Sequence, residues 1–172
     1  NTSNVTNMYG LFNSAEKFNQ PIGNWDTSNV EDINFILSSC SAFNQPLNDW
    51  DTSKVKGMRY LFFGTPFNHP LNNWDVSNVG TMQGAFHNAQ LFNQNIKNWN
   101  VSNVTNFDKM FLSSKVPDRY GIPDTPDPAF FTQFSQTSSN GDLKAAVDEY
   151  YPNDATAPVQ SAIEKYGYLN TW

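Results

Sequence analysis

Four polar side chains recur at nearly equal intervals and could together form a binding face. Asp26, Asp51, Asp75 and Asn100 are separated by 25, 24 and 25 residues. If these positions stack at about 5 Å, the spacing of neighbouring strands, the carboxylates form a ladder. Such a ladder could bind Ca²⁺ through its oxygens. Alternatively, each side chain could accept a hydrogen bond from the backbone that follows, which suits Asp and Asn equally. Since Asn100 is uncharged, the hydrogen-bonding role of these side chains is favoured over calcium binding. The row is also predicted to form an interaction face.

The basic and nucleophilic side chains form no catalytic motif. His69 stands where other units have glutamine, and His87 stands where the first unit has Asn13. The serines recur periodically, whereas a catalytic nucleophile needs one special environment. The single cysteine, Cys40, occupies a position that holds alanine in two other units, which predicts a buried and unreactive thiol. We therefore expect no enzyme, no cofactor and no metal site.

Four triplets of the type Asn-x-Ser/Thr are candidate acceptors for N-glycosylation in a eukaryotic secretory host. They begin at Asn1, Asn4, Asn100 and Asn103. Lys54 occupies the repeat position of Asn4 and Asn103, and a lysine there indicates a side chain that faces solvent. Asn103 is the acceptor expected to be modified in such a host.

All of these side chains belong to an internal repeat of about 25 residues. Each unit reads approximately Phe-Asn-Gln-Pro-Ile-x-x-Trp-Asp-Thr-Ser-Asn-Val-x-x-Met-x-x-x-Phe, and its landmarks are Trp25, Trp50, Trp74 and Trp99, with Phe18, Phe43, Phe67 and Phe92 seven residues before them. A unit this short cannot bury its own apolar face, so neighbouring units must stack and share a core. The pattern predicts that Trp50 and Phe43 are buried in stacked ladders.

The apolar spacing within a unit predicts two elements. Ile22, Trp25 and Val30 have the spacing of a leucine-rich-repeat strand, whereas Met8, Leu11 and Phe12 have the i, i+3, i+4 spacing of one helical turn. The sequence therefore predicts an α/β fold, a leucine-rich-repeat-like solenoid with a short parallel β-strand and a short helical turn per repeat. A Pro-rich capping segment and short helices are expected to follow.

Three regions are predicted along the chain. Residues 1–112 form the repeat array. Residues 113–140 form a Pro-rich linker or end cap, with too many prolines for a helix or a central strand. Residues 141–172 form a helical segment that resembles the N-terminal cap and first half repeat of a following array, with Leu169 and Trp172 at the ladder positions.

The long repeat motif resembles that of a known family. Residues 18–30 and 43–55, which carry Phe-Asn-Gln-Pro and Trp-Asp-Thr-Ser, are similar to the BspA-type leucine-rich-repeat surface proteins of bacteria and unicellular eukaryotes. The resemblance covers residues 1 to about 112. It implies an extracellular or cell-surface module for adhesion or protein interaction that binds another protein, a glycan or neighbouring copies of itself. The interrupted repeats at both ends leave an alternative open, a structural subunit of an extracellular filament built from tandem arrays.

Charge and hydropathy exclude two classes of partner. The chain has 16 acidic and 10 basic residues, for a formal charge of −6. This balance disfavours binding to nucleic acid phosphates and anionic membrane surfaces. No run of about 18 apolar residues is present, so we expect no membrane insertion.

Overall fold

The computed structural model describes residues 1–131, which belong to one compact unit, Asn1–Gln133. In these residues each repeat forms one coil, and successive coils stack on one another. The same backbone hydrogen bond joins every pair of neighbours, with donor and acceptor 2.8 to 3.0 Å apart. An amide of one coil donates to the carbonyl of the coil before it: Glu31 to Thr6, Lys56 to Glu31, Gly80 to Lys56 and Thr105 to Gly80.

Aromatic ladders run through the interior of this stack. The indole rings of Trp50, Trp74 and Trp99 lie nearly parallel, with centroids 6.4 Å apart at each step. Phe43 likewise stacks between the phenylalanines of the coils on either side, at 5.9 and 6.4 Å. Trp50 is 2% exposed and Phe43 is fully buried. The prediction that these two residues lie in buried ladders is confirmed.

The predicted fold class is wrong in its regular elements. Residues 1–131 contain no β-strand and no sheet, so they do not form an α/β leucine-rich-repeat solenoid with one strand per repeat. Each coil contributes one bridge residue to a row of isolated parallel bridges: Asn7, Asp32, Gly57, Thr81 and Asn106. The segment 22–30, which was predicted as the strand, instead consists of turns. The amide of Trp25 donates to the carbonyl of Ile22, and the amide of Val30 donates to that of Thr27.

The helical turn predicted after the strand is also wrong. The amide of Leu11 donates to the carbonyl of Met8, three residues earlier, and this bond closes a tight turn. Within that turn Gly10 has φ +60°, and the equivalent residue of every other coil is left-handed as well. A right-handed helix cannot continue through a residue of positive φ. Each bridge residue therefore lies between two turns, which leaves no room for a strand.

Residues 113–131 pack against the last coil. They contain helix α1, Val116–Tyr120, and a 3₁₀ helix, Pro128–Phe131. The prediction of a segment too rich in proline for any helix is wrong, because Pro117 lies in the first turn of α1, where its missing N–H costs no hydrogen bond. The ring of Phe131 stacks on that of Phe107 with centroids 5.5 Å apart, and Val116 is fully buried.

The predictions for residues 132–172, including the helical segment 141–172 and Trp172, lie outside the described residues. Across residues 1–131 no helix is long and apolar enough to cross a membrane.

Candidate binding surface

The predicted interaction face is an exposed row of turns. Asp26, Asp51, Asp75 and Asn100 are all exposed. In each case the side-chain Oδ1 accepts a hydrogen bond from the backbone N–H two residues later, at 2.9 to 3.2 Å. The Asx-type hydrogen bond favoured by the sequence is therefore present in every one of these coils, and Asn100 forms it as the aspartates do.

Hydroxyl donors stabilise the charged form of two of these carboxylates. The Ser28 hydroxyl donates to Oδ1 of Asp26 at 2.6 Å, and its backbone N–H donates to the same atom, so the pKa of Asp26 lies below its ordinary value. Ser53 lowers the pKa of Asp51 in the same way. Within residues 1–131 no three His, Cys, Asp or Glu side chains are grouped so that they could hold a metal ion.

The side chains repeated in every coil mostly hold the stack together. Thr27 is buried, and its hydroxyl donates to the carbonyl of Asp51 in the next coil at 3.0 Å. The indole N–H of Trp50 donates to the carbonyl of Ile22 at 2.9 Å, and Trp74 repeats this bond one coil later. Even exposed repeated residues are bound: the Oδ1 of Asn19 accepts from the backbone N–H at position 44. These uniform rows form a structural framework.

The four glycosylation candidates differ in their surroundings. Asn4 and Asn103 are exposed, and Lys54 at the same repeat position is exposed too, so the predicted orientation of this row is confirmed. The Nδ2 of Asn103 donates to the carbonyl of Ser77 at 2.6 Å. Asn1 and Asn100 are exposed as well, and each uses Oδ1 to hold its own turn. All four remain predicted acceptors.

The histidines occupy separate places. The Nε2 of His69 lies 3.0 Å from the carbonyl oxygen of Asn44. His87 packs edge-on against Phe63, with ring centroids 4.9 Å apart, and its Nδ1 has no hydrogen-bond partner within residues 1–131. Burial, aided by the positive charge of Lys109, lowers the pKa of His87. Within residues 1–131, neither imidazole ring has a hydrogen bond to a serine or cysteine side chain.

The thiol of Cys40 lies inside the core. The residue is fully buried, and its Sγ–H donates to the carbonyl of Phe12 at 2.9 Å. Burial raises the pKa of this thiol, which disfavours the reactive thiolate.

We expect Cys40 of the folded protein to resist thiol reagents. Incubation with Ellman's reagent at neutral pH should release almost no chromophore, because the thiol is both inaccessible and protonated. The same reagent in guanidinium chloride should titrate one thiol per chain. Rapid labelling without denaturant would contradict the buried position.

One face of the stack differs from coil to coil. It is formed by the bridge row, by the residue before each bridge and by the second and third residues after it. These columns read Thr6, Glu31, Lys56, Gly80, Thr105; then Asn7, Asp32, Gly57, Thr81, Asn106; then Tyr9, Asn34, Arg59, Gln83, Asp108; and finally Gly10, Phe35, Tyr60, Gly84, Lys109. We call this the variable face. A groove of about 610 Å³ lies on it.

Backbone strain marks the edge of the variable face. The last column is left-handed in all five coils, with φ between 48° and 60°. Glycine adopts this conformation freely, whereas Phe35 and Tyr60 do so at a cost of roughly 1–2 kcal/mol each. Their rings stack with centroids 5.3 Å apart, which offsets part of that cost. Because Gly10 and Gly84 meet the same backbone requirement without strain, these aromatic side chains are not needed to form the turn.

Sequence reasoning from the repeat motif missed this face. It was directed at positions that are the same in every unit, and the groove is lined by positions that differ. The signal was present in the aligned units, where these columns differ between neighbouring coils.

The described part of the chain is thus a repeat protein whose coils share a framework and differ on one face. A family model described as "Mycoplasma protein of unknown function, DUF285" matches residues 1–80 and 63–116. These matches together cover 116 of the 172 residues, and the chain belongs to this family. No curated protein matches the chain, and no solved structure matches it.

Proposed function

We propose that this chain is a non-catalytic repeat module of an extracellular or cell-surface protein, which mediates adhesion by binding another protein or a glycan. The observation that carries the proposal is the division of the coil surface. Framework columns are uniform because hydrogen bonds and ladders constrain them, whereas the exposed variable face changes residue type at each coil. Side chains that differ between neighbouring coils and line a groove are suited to recognition.

The resemblance of the repeat motif supports this proposal. The repeat motif at residues 18–30 and 43–55 resembles that of BspA-type surface proteins, which implies an adhesive role outside the cell. The acidic balance of the chain, 16 acidic to 10 basic residues, supports a partner other than nucleic acid or an anionic membrane. Adhesion of fluorescent beads coated with the chain to intact cells tests the proposal. Adhesion no greater than that of albumin-coated beads would contradict it.

The predicted interaction face can be tested with three isosteric changes. Replacing Asp26, Asp51 and Asp75 together with Asn should leave the unfolding midpoint nearly unchanged, because Asn100 already forms the same hydrogen bond. If the aspartate row binds the partner through its charge, bead adhesion should fall with this variant. Unchanged adhesion assigns recognition to another face, and a large loss of stability would contradict the Asx account of the row.

A structural subunit of an extracellular filament is the second candidate. One observation favours it: the same backbone hydrogen bond joins each pair of neighbouring coils, and a coil of an adjacent module could extend the stack through the same bond. Sedimentation and electron microscopy of the native protein distinguish the two candidates, since head-to-tail stacking does not close and produces fibres.

A further inference from the structure

The groove on the variable face has a distinct chemical lining. It is formed by nine residues of the first four coils: Thr6, Asn7, Glu31, Asp32, Asn34, Lys56, Gly57, Arg59 and Thr81. Every lining side chain is polar, and the floor at Gly57 has none. The lining contains two carboxylates and two cations, so it has no net charge. One of each kind is already paired, since the Nζ of Lys56 lies 2.7 Å from Oε2 of Glu31.

The central part of this groove is fixed in position by hydrogen bonds. The Oδ1 of Asp32 accepts from the N–H of Asn34 at 2.9 Å, and the Oδ1 of Asn34 accepts from the N–H of Arg59 at 2.7 Å. The side chain of Asn34 covers Gly57 so closely that an added Cβ would lie 2.5 Å from its Nδ2. These polar groups are therefore pre-organised across two coils, which reduces the entropy lost on binding.

The lining decides between classes of ligand. A protein partner anchors itself with aromatic or aliphatic side chains in apolar pockets, and this groove has no apolar side chain in its lining. A charged polymer needs an excess of the opposite charge, and the lining has none. A neutral chain of hydroxyl groups fits both facts, because each hydroxyl can donate to a carboxylate or amide oxygen and accept from Arg59, Lys56 or an amide N–H.

An exposed aromatic ring extends the groove at one end. Tyr9 occupies the column of Asn34 and Arg59 one coil earlier, and it is 59% exposed. Its N–H donates to Oδ1 of the lining residue Asn7 at 2.8 Å. Its ring contacts Phe35, with centroids 5.5 Å apart. A sugar ring has apolar C–H faces as well as hydroxyl edges, and Tyr9 supplies an apolar surface beside the polar groove.

We propose that the groove formed by Asn7, Asp32, Asn34, Lys56 and Arg59, with Tyr9 at its edge, binds a neutral oligosaccharide. This inference rests on the proposed adhesive function and names its ligand class. Tyr9 can contact the apolar face of a sugar ring, and Arg59 can donate hydrogen bonds to its hydroxyl oxygens.

The test is binding of the full chain to immobilised neutral oligosaccharides, namely the cello-, malto-, laminari- and manno- series. Heparin fragments serve as acidic probes. We expect binding to at least one neutral series, and Arg59→Ala and Tyr9→Ala should each weaken it about tenfold. Leu91→Ala is the matched control, because Leu91 is 56% exposed and lies outside the groove. Unfolding midpoints of all variants establish that each one folds.

The outcomes separate the groove from the wider function. Loss of neutral-sugar binding with both groove variants but not with the control supports the proposal. Sugar binding that survives both groove variants overturns it, as does binding to heparin fragments alone. If no neutral series binds while coated beads still adhere to cells, the groove proposal fails and the adhesive function stands. If the beads do not adhere either, both fail.

Discussion

Replacing Trp50 with Ala is expected to lower the free energy of unfolding by about 3 to 5 kcal/mol. Trp50 is 2% exposed and stacks on Trp74, so its removal leaves a large cavity inside the ladder. It also removes the indole donor to the carbonyl of Ile22, a bond that is buried. A loss of this size could unfold a domain of marginal stability. Urea denaturation followed by circular dichroism measures it.

Trp25→Ala is the matched control for this prediction. Trp25 occupies the same repeat position in the first coil, but it is partly exposed and has no coil before it in the described stack. Its replacement should therefore cost clearly less than that of Trp50. Equal losses at the two positions would contradict a ladder whose interior members are the most buried.

Phe86→Ala is expected to have a comparable effect, about 3 to 5 kcal/mol. Phe86 is fully buried and lies where two ladders meet. Its ring stacks on Phe92 at 4.0 Å and contacts Phe62 and Phe111 in the coils on either side, at 5.5 and 5.9 Å. Truncation removes contacts with three coils at once, so the unfolding transition should also become less cooperative.

Leu91→Ala provides the comparison for Phe86. Leu91 is an apolar residue only five positions away, yet it is 56% exposed. Its replacement should change the free energy of unfolding by no more than about 0.5 kcal/mol. Similar costs at the two sites would mean that the core does not pass through Phe86.

The stacking could be predicted from the sequence because it depends on which residues repeat. The spacing of Trp50 and Trp74 required equivalent coils, and burial of both rings followed from the need of a short unit to share its core. Backbone conformation could not be predicted in the same way. Phe35 and Tyr60 are residues that favour strands and strongly disfavour positive φ, yet both are left-handed here because the turn at this position is imposed by the whole stack.

The turn at Ile22 illustrates why the predicted strand was wrong. Ile22 and Trp25 are three residues apart, and the turn between them directs both side chains toward the core. A bent strand could do the same. Apolar spacing alone therefore does not distinguish a turn from a strand. The Asx hydrogen bonds of the aspartate row could be predicted because Asn100 replaces aspartate at one position of that row. The groove could not be predicted, because its residues share no type from coil to coil.

Amide hydrogen exchange tests the central claim, that the repeats stack in register through backbone bonds without forming strands. The account predicts slow exchange at the amides that donate to the preceding coil, namely those of Glu31, Lys56, Gly80 and Thr105, with neighbouring exposed amides such as that of Lys54 exchanging faster. Protection should thus recur at the period of the repeat. Exchange of these four amides at the rate of an unfolded chain would contradict the stack.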